Sequence, residues 1–336
     1  MRELIEKILS GTDLTEAEAR RLLGHLTDDA LDPILAAAAL AGLRTKGESP
    51  DELRAFATGL RELAIRPNTP TDAPAVDIVG TGGDGSGSFN LSTGSALVAA
   101  AAGVPVIKHG NRSISSSSGS ADVLTALGLG VPWDEREAGE VFDRTGFTFL
   151  FAPGFHPAMK AIAPVRRVLG LRTIFNLAGP LANPATPPFY VIGAFDIDTA
   201  RMMAETIAGM SVERAFVIHG EPGWDEPTPV GPYHLFEVTR GSVDQSIEDP
   251  LDFGLARCQP EDLAGGDPHF NAAALQAVLR GEPGAHRDAL VLGASLALRV
   301  TGRTDAPSAA VNQAAAAIDD GRALNLLDRL RETAHV

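Results

Sequence analysis

Residues 76–93 constrain the fold more than any other part of the chain. Val76-Asp77-Ile78-Val79 reads as a short strand that breaks into Gly80-Thr81-Gly82-Gly83-Asp84-Gly85-Ser86-Gly87-Ser88-Phe89-Asn90-Leu91-Ser92-Thr93. An alanine-rich helix is then expected over Ser95 to Ala102. Strand, glycine turn and helix in direct succession build α/β sheets with parallel strands. Glycines let the backbone approach a ligand closely. A helix N-terminus adds unpaired N–H groups and the positive end of the helix dipole. The turn is therefore suited to phosphate or pyrophosphate. It lacks the Gly-Lys-Ser/Thr of the nucleotide-hydrolase phosphate loop. Gly80 to Gly85 satisfies G-x-G-x-x-G, a weak signal of a dinucleotide-dependent dehydrogenase when it stands alone. Asp84 inside the loop would repel bare pyrophosphate, so it is expected to bind a sugar or influence a metal.

A second strand is expected over Val104-Pro105-Val106-Ile107, leading into Lys108-His109-Gly110-Asn111-Arg112-Ser113-Ile114-Ser115-Ser116-Ser117-Ser118-Gly119-Ser120 and a helix over Ala121 to Leu127. Lys108 and Arg112 supply charge, and the serines supply donors. Two such turns in sequence suggest one ligand with two phosphate groups.

The chain on either side fits this arrangement. Residues 1–65 read as helices, with capping-box spacing at Thr15 and Glu18 and at Ser49 and Glu52. Pro67 to Pro74 reads as a linker. Further strands are expected over 147–151, 189–192 and 215–218, with helices near 271–280, 287–302, 307–319 and 322–333. The expected fold class is α/β: a small N-terminal helical domain and a large α/β domain with a mixed, largely parallel sheet. No repeat of 20–50 residues is present.

Charge and cysteine usage exclude several function classes. The formal net charge of −15 disfavours nucleic acid and anionic membrane as partners. Positive charge for an anionic substrate must then be local. The chain has four lysines, Lys7, Lys46, Lys108 and Lys160, of which the last two fall in stretches singled out on other grounds. Cys258 is the one cysteine, which excludes an internal disulfide and a cysteine zinc cluster. No apolar run approaches the ~20 residues of a membrane span. The acidic N-terminus lacks a signal-peptide core, so a cytoplasmic location is expected.

Several blocks in order, taken together, resemble the anthranilate phosphoribosyltransferase family of tryptophan biosynthesis. They are Gly80–Asp84 with Phe89–Thr93, Lys108–Arg112 with Gly119–Asp122, Phe151-Ala152-Pro153 with His156–Lys160, and Pro164–Arg167 with Leu169–Asn176. Gly179-Pro180-Leu181 with Asn183-Pro184, Gly223-Trp224-Asp225-Glu226, Lys46-Gly47-Glu48 and Gly265-Gly266-Asp267 extend the likeness over nearly the whole chain. The resemblance implies a magnesium-dependent enzyme that transfers the phosphoribosyl group of phosphoribosyl pyrophosphate to anthranilate. It implies a helical domain over residues 1–66, with a return segment near 165–185, and a catalytic domain over 74–336. It also implies a homodimer formed through the helical domains.

For individual residues, the resemblance implies that phosphoribosyl pyrophosphate is bound by Gly80, Gly83, Asp84, Ser88, Asn90, Leu91, Ser92, Thr93, the run Lys108, His109, Gly110, Asn111, Arg112, Ser113, Ile114, Ser115 and Ser116, and Ser120. Ser88 stands where the family has threonine. Anthranilate is expected near Gly80, Asn111 and Arg166, with His109 and His156 as pocket walls. Mg2+ is expected at Ser92, Asp225 and Glu226. Lys108, Arg112 and His109 are the expected catalytic group. A guanidinium at Arg166 matches an aromatic carboxylate, and oxygen ligands suit magnesium. The chain departs from the family's pattern at Trp224, Pro227, Tyr233, Ala178 and Gly293, positions that bear on the acidic loop or the accepted amine. Competing readings are a phosphoribosyltransferase with another aromatic acceptor, a nucleoside phosphorylase on a related fold, and a non-catalytic nucleic-acid-binding relative. Intact loops and an acidic surface count against the last.

Overall fold

A computed structural model describes residues 1–112 and 118–333. The expected ligand residues Ser113, Ile114, Ser115 and Ser116 lie outside these. Four helices open the chain, Arg2–Leu9, Glu16–Leu26, Pro33–Lys46 and Pro50–Glu62. Both sequence-read capping boxes form, Thr15 with Glu18 and Ser49 with Glu52. Glu52 does more than cap. Fully buried, it accepts from the Leu14 N–H at 2.8 Å and from Lys46 Nζ at 2.9 Å. It thereby ties helices Pro33–Lys46 and Pro50–Glu62 to the segment that joins the first two helices.

Seven strands form one sheet: β1 (Val76–Gly80), β2 (Val106–Gly110), β3 (Phe147–Phe151), β4 (Phe189–Gly193), β5 (Arg214–Gly220), β6 (Tyr233–Thr239) and β7 (Ser242–Glu248). Their order is β3-β2-β1-β4-β5-β6-β7. The first five run parallel, β6 runs antiparallel to β5, and β7 runs antiparallel to β6. The chain steps outward from β1 to β3, then crosses back to lay β4 on the other side of β1. This reversal opens a crevice at the carboxyl ends of β1 and β4, where open α/β sheets bind ligands.

The two faces of the sheet are packed differently. On one, Val76, Val106, Phe149, Val191 and Phe216 join the helices Leu91–Ala101 and Ala285–Val300. On the other, Tyr190, Ile192, Val217 and Phe236 share a core with the N-terminal helices and with Ile162, Val165, Ile174 and Phe175. Helix Met159–Leu169 packs on Pro33–Lys46, and Ile174–Ala178 packs on Pro50–Glu62. Among the described residues no helix is long and apolar enough to cross a membrane.

Two sequence expectations need correction. Helix Leu91–Ala101 starts four residues earlier than Ser95, through Ser92, Thr93 and Gly94, which are poor helix formers. Tertiary packing overrides propensity there: a Cβ on Gly94 would lie 2.6 Å from Leu290, so the helix sits closely on Ala285–Val300. The second strand runs over Val106–Gly110, not 104–107, because Pro105 uses its carbonyl to accept from Val76 ahead of the ladder. Lys108 and His109 are consequently strand residues. The β6–β7 hairpin is an addition that the sequence reading does not contain.

Candidate active site

The crevice is built from backbone outward. Gly80, Gly193 and Gly220 end β1, β4 and β5. The loop carrying Asp225 and Glu226 lies directly on all three. A Cβ at Gly193 would be 1.4 Å from the Asp225 carbonyl oxygen, one at Gly80 2.3 Å from Asp225 Oδ2, and one at Gly220 2.4 Å from the Glu226 carbonyl oxygen. Only hydrogen in place of a side chain admits this loop.

The same loop grips the glycine turn. Asp225 Oδ2 accepts from Gly82 N–H at 2.6 Å, and Glu226 Oε1 accepts from Ser92 N–H, in the first turn of helix Leu91–Ala101, at 2.9 Å. Ser88 Oγ reaches Glu226 Oε2 at 3.4 Å. Asp84 holds the turn from inside, with Oδ1 accepting from the Ser86 N–H and hydroxyl and Oδ2 accepting from Asp225 N–H at 3.4 Å. Asn90 and Thr93 join the two anion turns: Asn90 Nδ2 donates to the Ser118 carbonyl at 3.0 Å, and Thr93 Oγ1 donates to Ser120 Oγ at 3.1 Å.

Electrostatically the crevice is loaded with buried charge. Burial, reinforced by Asp84, pushes Asp225 up to about 7. Burial, then the Asp225 charge, raises Glu226 well above its ordinary range. Lys108 is 1% exposed, and its Nζ donates to the Ile78 carbonyl at 2.5 Å and Ser92 Oγ at 3.3 Å. Burial lowers its pKa, opposed by Asp77, Glu226 and Asp225. Beneath it Asp77, fully buried and pushed to about 6 by burial, accepts from Asn183 Nδ2 at 2.8 Å and from His109 N–H at 3.2 Å. Sequence reasoning had no signal for Asp77 beyond its odd place in an apolar strand.

His109 lies next to Lys108 in β2, and successive strand residues face opposite sides. Its ring packs at 5.1 Å from His156, and the Nε2 atoms of both are buried without a hydrogen-bond partner among the described residues. Burial first, then the neighbouring His156, drives His109 down to about 3, and burial takes His156 to about 4. Both rings are neutral near pH 7. Arg166, at the end of helix Met159–Leu169, lies with its guanidinium 5.3 Å over the Phe175 ring and makes no ion pair among the described residues. Asn111 Oδ1 accepts from Arg112 N–H at 2.7 Å. The Arg112 guanidinium is exposed, 3.8 Å from Asp122 and 5.9 Å from the Phe151 ring.

The departures noted in the sequence fall in distinct places. Trp224 is buried and pairs with Gly220 under the acidic loop. Tyr233 donates to Glu248 at 2.6 Å, and Glu248 takes a two-pronged bond from Arg299, a structural lock on β7. Ala178 is core among the helices. Gly293 faces Ser95, whose hydroxyl would be 2.2 Å from an added Cβ. With Pro227, it lines a small cavity of about 20 Å³ beside Asp225 and Glu226.

The oxygen-rich set of Ser92, Asp225 and Glu226 fits a hard divalent cation: one buried carboxylate and one half-buried carboxylate face a lysine that is already bonded elsewhere. Among the described residues no three His, Cys, Asp or Glu side chains are grouped to hold a metal alone. That suits magnesium, which keeps waters and takes ligands from a substrate's phosphates.

Comparison with known proteins agrees with this architecture. The family described as "Glycosyl transferase family, helical bundle domain" matches residues 2–64, and "Glycosyl transferase family, a/b domain" matches 72–324. The anthranilate phosphoribosyltransferase of Desulforudis audaxviator is 44% identical over 99% of this chain and 96% of its own length. That of Haloarcula marismortui is 44% identical over 98% and 99%. The crystal structure of the enzyme from Thermus thermophilus superposes with a TM-score of 0.93 at 42% identity, covering 99% of both chains. The Saccharomyces cerevisiae enzyme, solved in complex with PRPP and Mg, shares the fold with a TM-score of 0.89 at 24% identity, covering 99% of this chain and 97% of its own.

Proposed function

The chain belongs to the anthranilate phosphoribosyltransferase family, and from that premise we propose that it transfers the phosphoribosyl group of phosphoribosyl pyrophosphate to anthranilate, releasing pyrophosphate, as a step of tryptophan biosynthesis. The observation that carries this reading is the convergence of the glycine turn, the acidic loop, Lys108 and the first turn of helix Leu91–Ala101 on one crevice.

The reaction is a displacement at the anomeric carbon. Negative charge grows on the departing pyrophosphate and positive charge on the ribose ring. The glycine turn Gly80 to Ser88, with Asn90, Leu91, Ser92 and Thr93, binds the donor through backbone N–H groups and hydroxyls. Lys108, with Arg112 and the backbone from Gly110, meets the leaving charge. Ser92, Asp225 and Glu226 would hold Mg2+, which when bound neutralises charge on the leaving oxygens. Arg166 and Asn111, with the backbone of Gly80, orient anthranilate by its carboxylate. Neutral His109 and His156 wall this pocket without adding positive charge beside a ring that is itself becoming positive. An arylamine has a free lone pair at neutral pH, so no strong protein base is required.

We further propose a cytoplasmic homodimer joined through the N-terminal helices. Leu9 and Ile34 stay 64% and 77% exposed there, and Val168 88%. Sedimentation at micromolar concentration tests this; a single 35.0 kDa species would reject it.

The direct test mixes the protein with Mg2+, phosphoribosyl pyrophosphate and anthranilate and follows loss of anthranilate fluorescence. Quenching that needs all three supports the assignment. No quenching under saturating conditions rejects it. The double variant Asp225→Ala with Glu226→Ala should need far more magnesium; wild-type dependence would remove these residues from the metal site.

A further inference from the structure

Arg172 belongs to the turn between helices Met159–Leu169 and Ile174–Ala178, and it reaches across to the glycine turn. Its Nη2 donates to the Gly83 carbonyl, and its guanidinium stacks 3.7 Å from the centroid of Phe195, just beyond β4. Its own carbonyl accepts from Arg44 Nη1 at 2.8 Å, which anchors the turn to helix Pro33–Lys46. It forms no ion pair among the described residues, so these contacts account for its orientation. Stacking on an aromatic face while donating to a carbonyl uses the planar guanidinium in a way lysine cannot copy.

The helix that runs into this turn carries Arg166, the residue assigned to anthranilate, in its last turn. The Arg166 carbonyl accepts from Gly170 N–H at 3.1 Å, closing the helix, and the Arg166 guanidinium lies over Phe175 on the far side of the turn. Gly82 and Gly83 both have positive φ, +67° and +74°. Gly82 is bonded to Asp225 and Gly83 to Arg172. The glycine turn is thus held from the acidic, donor-binding side and from the amine-binding side at adjacent residues.

We propose that Arg172 is a positioning residue that couples the two substrate sites: fixing the glycine turn around the sugar donor fixes the turn that presents Arg166, so each substrate tightens binding of the other. This deepens, and rests on, the assignment of the two substrates above. The coupling is reciprocal by thermodynamic necessity. Neither Arg172 nor Phe195 touches reacting atoms in this scheme.

The test is isothermal titration of the full chain with ortho-toluate, which keeps the aromatic carboxylate but has no amine to react. Titrations are run with and without phosphoribosyl pyrophosphate and Mg2+. In the wild type the donor should tighten ortho-toluate at least about fivefold. In Arg172→Ala the ratio should fall to within about twofold of one, while each ligand alone keeps its affinity within about threefold. Phe195→Leu, which removes the stacking ring and spares the donor group, should lower the ratio in the same direction and carries the test if Arg172→Ala fails to fold. An unchanged ratio in a folded variant, or no coupling in the wild type, overturns the proposal. So does loss of single-ligand affinity with coupling intact, which would make Arg172 a direct contact. A wild type that binds neither ligand overturns the functional assignment instead.

Discussion

Asp225→Asn should make the ligand-free protein more stable while raising its magnesium requirement. Asp225 is 7% exposed, and its pKa is pushed from 3.8 to about 7 by burial and Asp84. A carboxylate raised in this way binds its proton more tightly folded than unfolded. Its contribution is fully present below the unfolded value and is lost as pH rises through the folded one. At pH 8 the penalty is the whole shift of about three units, or about 4 kcal/mol. At pH 5 only the interval above 3.8 counts, about 2 kcal/mol. Asparagine keeps the shape and can still accept from Gly82, so most of the penalty should be recovered. With an unfolding entropy of about 0.7 kcal/mol/K for a chain of this length, the variant should melt about 6 °C higher at pH 8 and about 3 °C higher at pH 5. Differential scanning calorimetry across that range, without magnesium or substrate, measures this. A variant that melts lower than wild type, or whose gain is the same at both pH values, would show that buried charge is not what loads the crevice.

Other perturbations probe separate parts of the molecule. Arg166→Ala should lower kcat/KM for anthranilate by about 10- to 100-fold, the worth of a charge-assisted hydrogen-bond pair, and leave the KM for the sugar donor nearly unchanged; steady-state kinetics with each substrate varied would expose the opposite pattern. Gly193→Ala puts a methyl 1.4 Å from the Asp225 carbonyl and should displace the acidic loop, raising the magnesium midpoint; an unaltered magnesium titration would contradict the packing argument. Glu52→Ala removes one partner of a buried ion pair along with a cap and should cost about 3–5 kcal/mol, read as a lower melting temperature with kcat little changed in the surviving folded protein.

How much of this was legible in the chain depends on whether the signal is local. Thr15 with Glu18 and Ser49 with Glu52 announce their helices because a capping box is satisfied within four residues. The glycine turn was readable for the same reason, whereas Lys108, expected in a turn, is a strand residue; the resemblance added Asp225, Glu226 and Arg166. The hairpin β6–β7 escaped because Ser242–Glu248 is a polar edge strand with little apolar alternation. Its position is fixed by Tyr233, Glu248 and Arg299, which are far apart in sequence. The start of helix Leu91–Ala101 is hidden because its first turn is stabilised by Glu226 and by Leu290, neither of them near in sequence. Arg172 looks in the sequence like one more basic residue. Its contacts to Gly83, Phe195 and Arg44 exist only once three distant segments meet.

The sheet's second face has a practical implication for anyone dissecting this protein. Among the described residues, Tyr190, Ile192, Val217 and Phe236 are covered by the opening helices and the segments that return to them. A protease nick between residues 67 and 74 would therefore not liberate two self-sufficient halves. The excised bundle and the shorn sheet would each display a greasy wound and aggregate, whereas the nicked but unseparated pair should stay together and melt in one step.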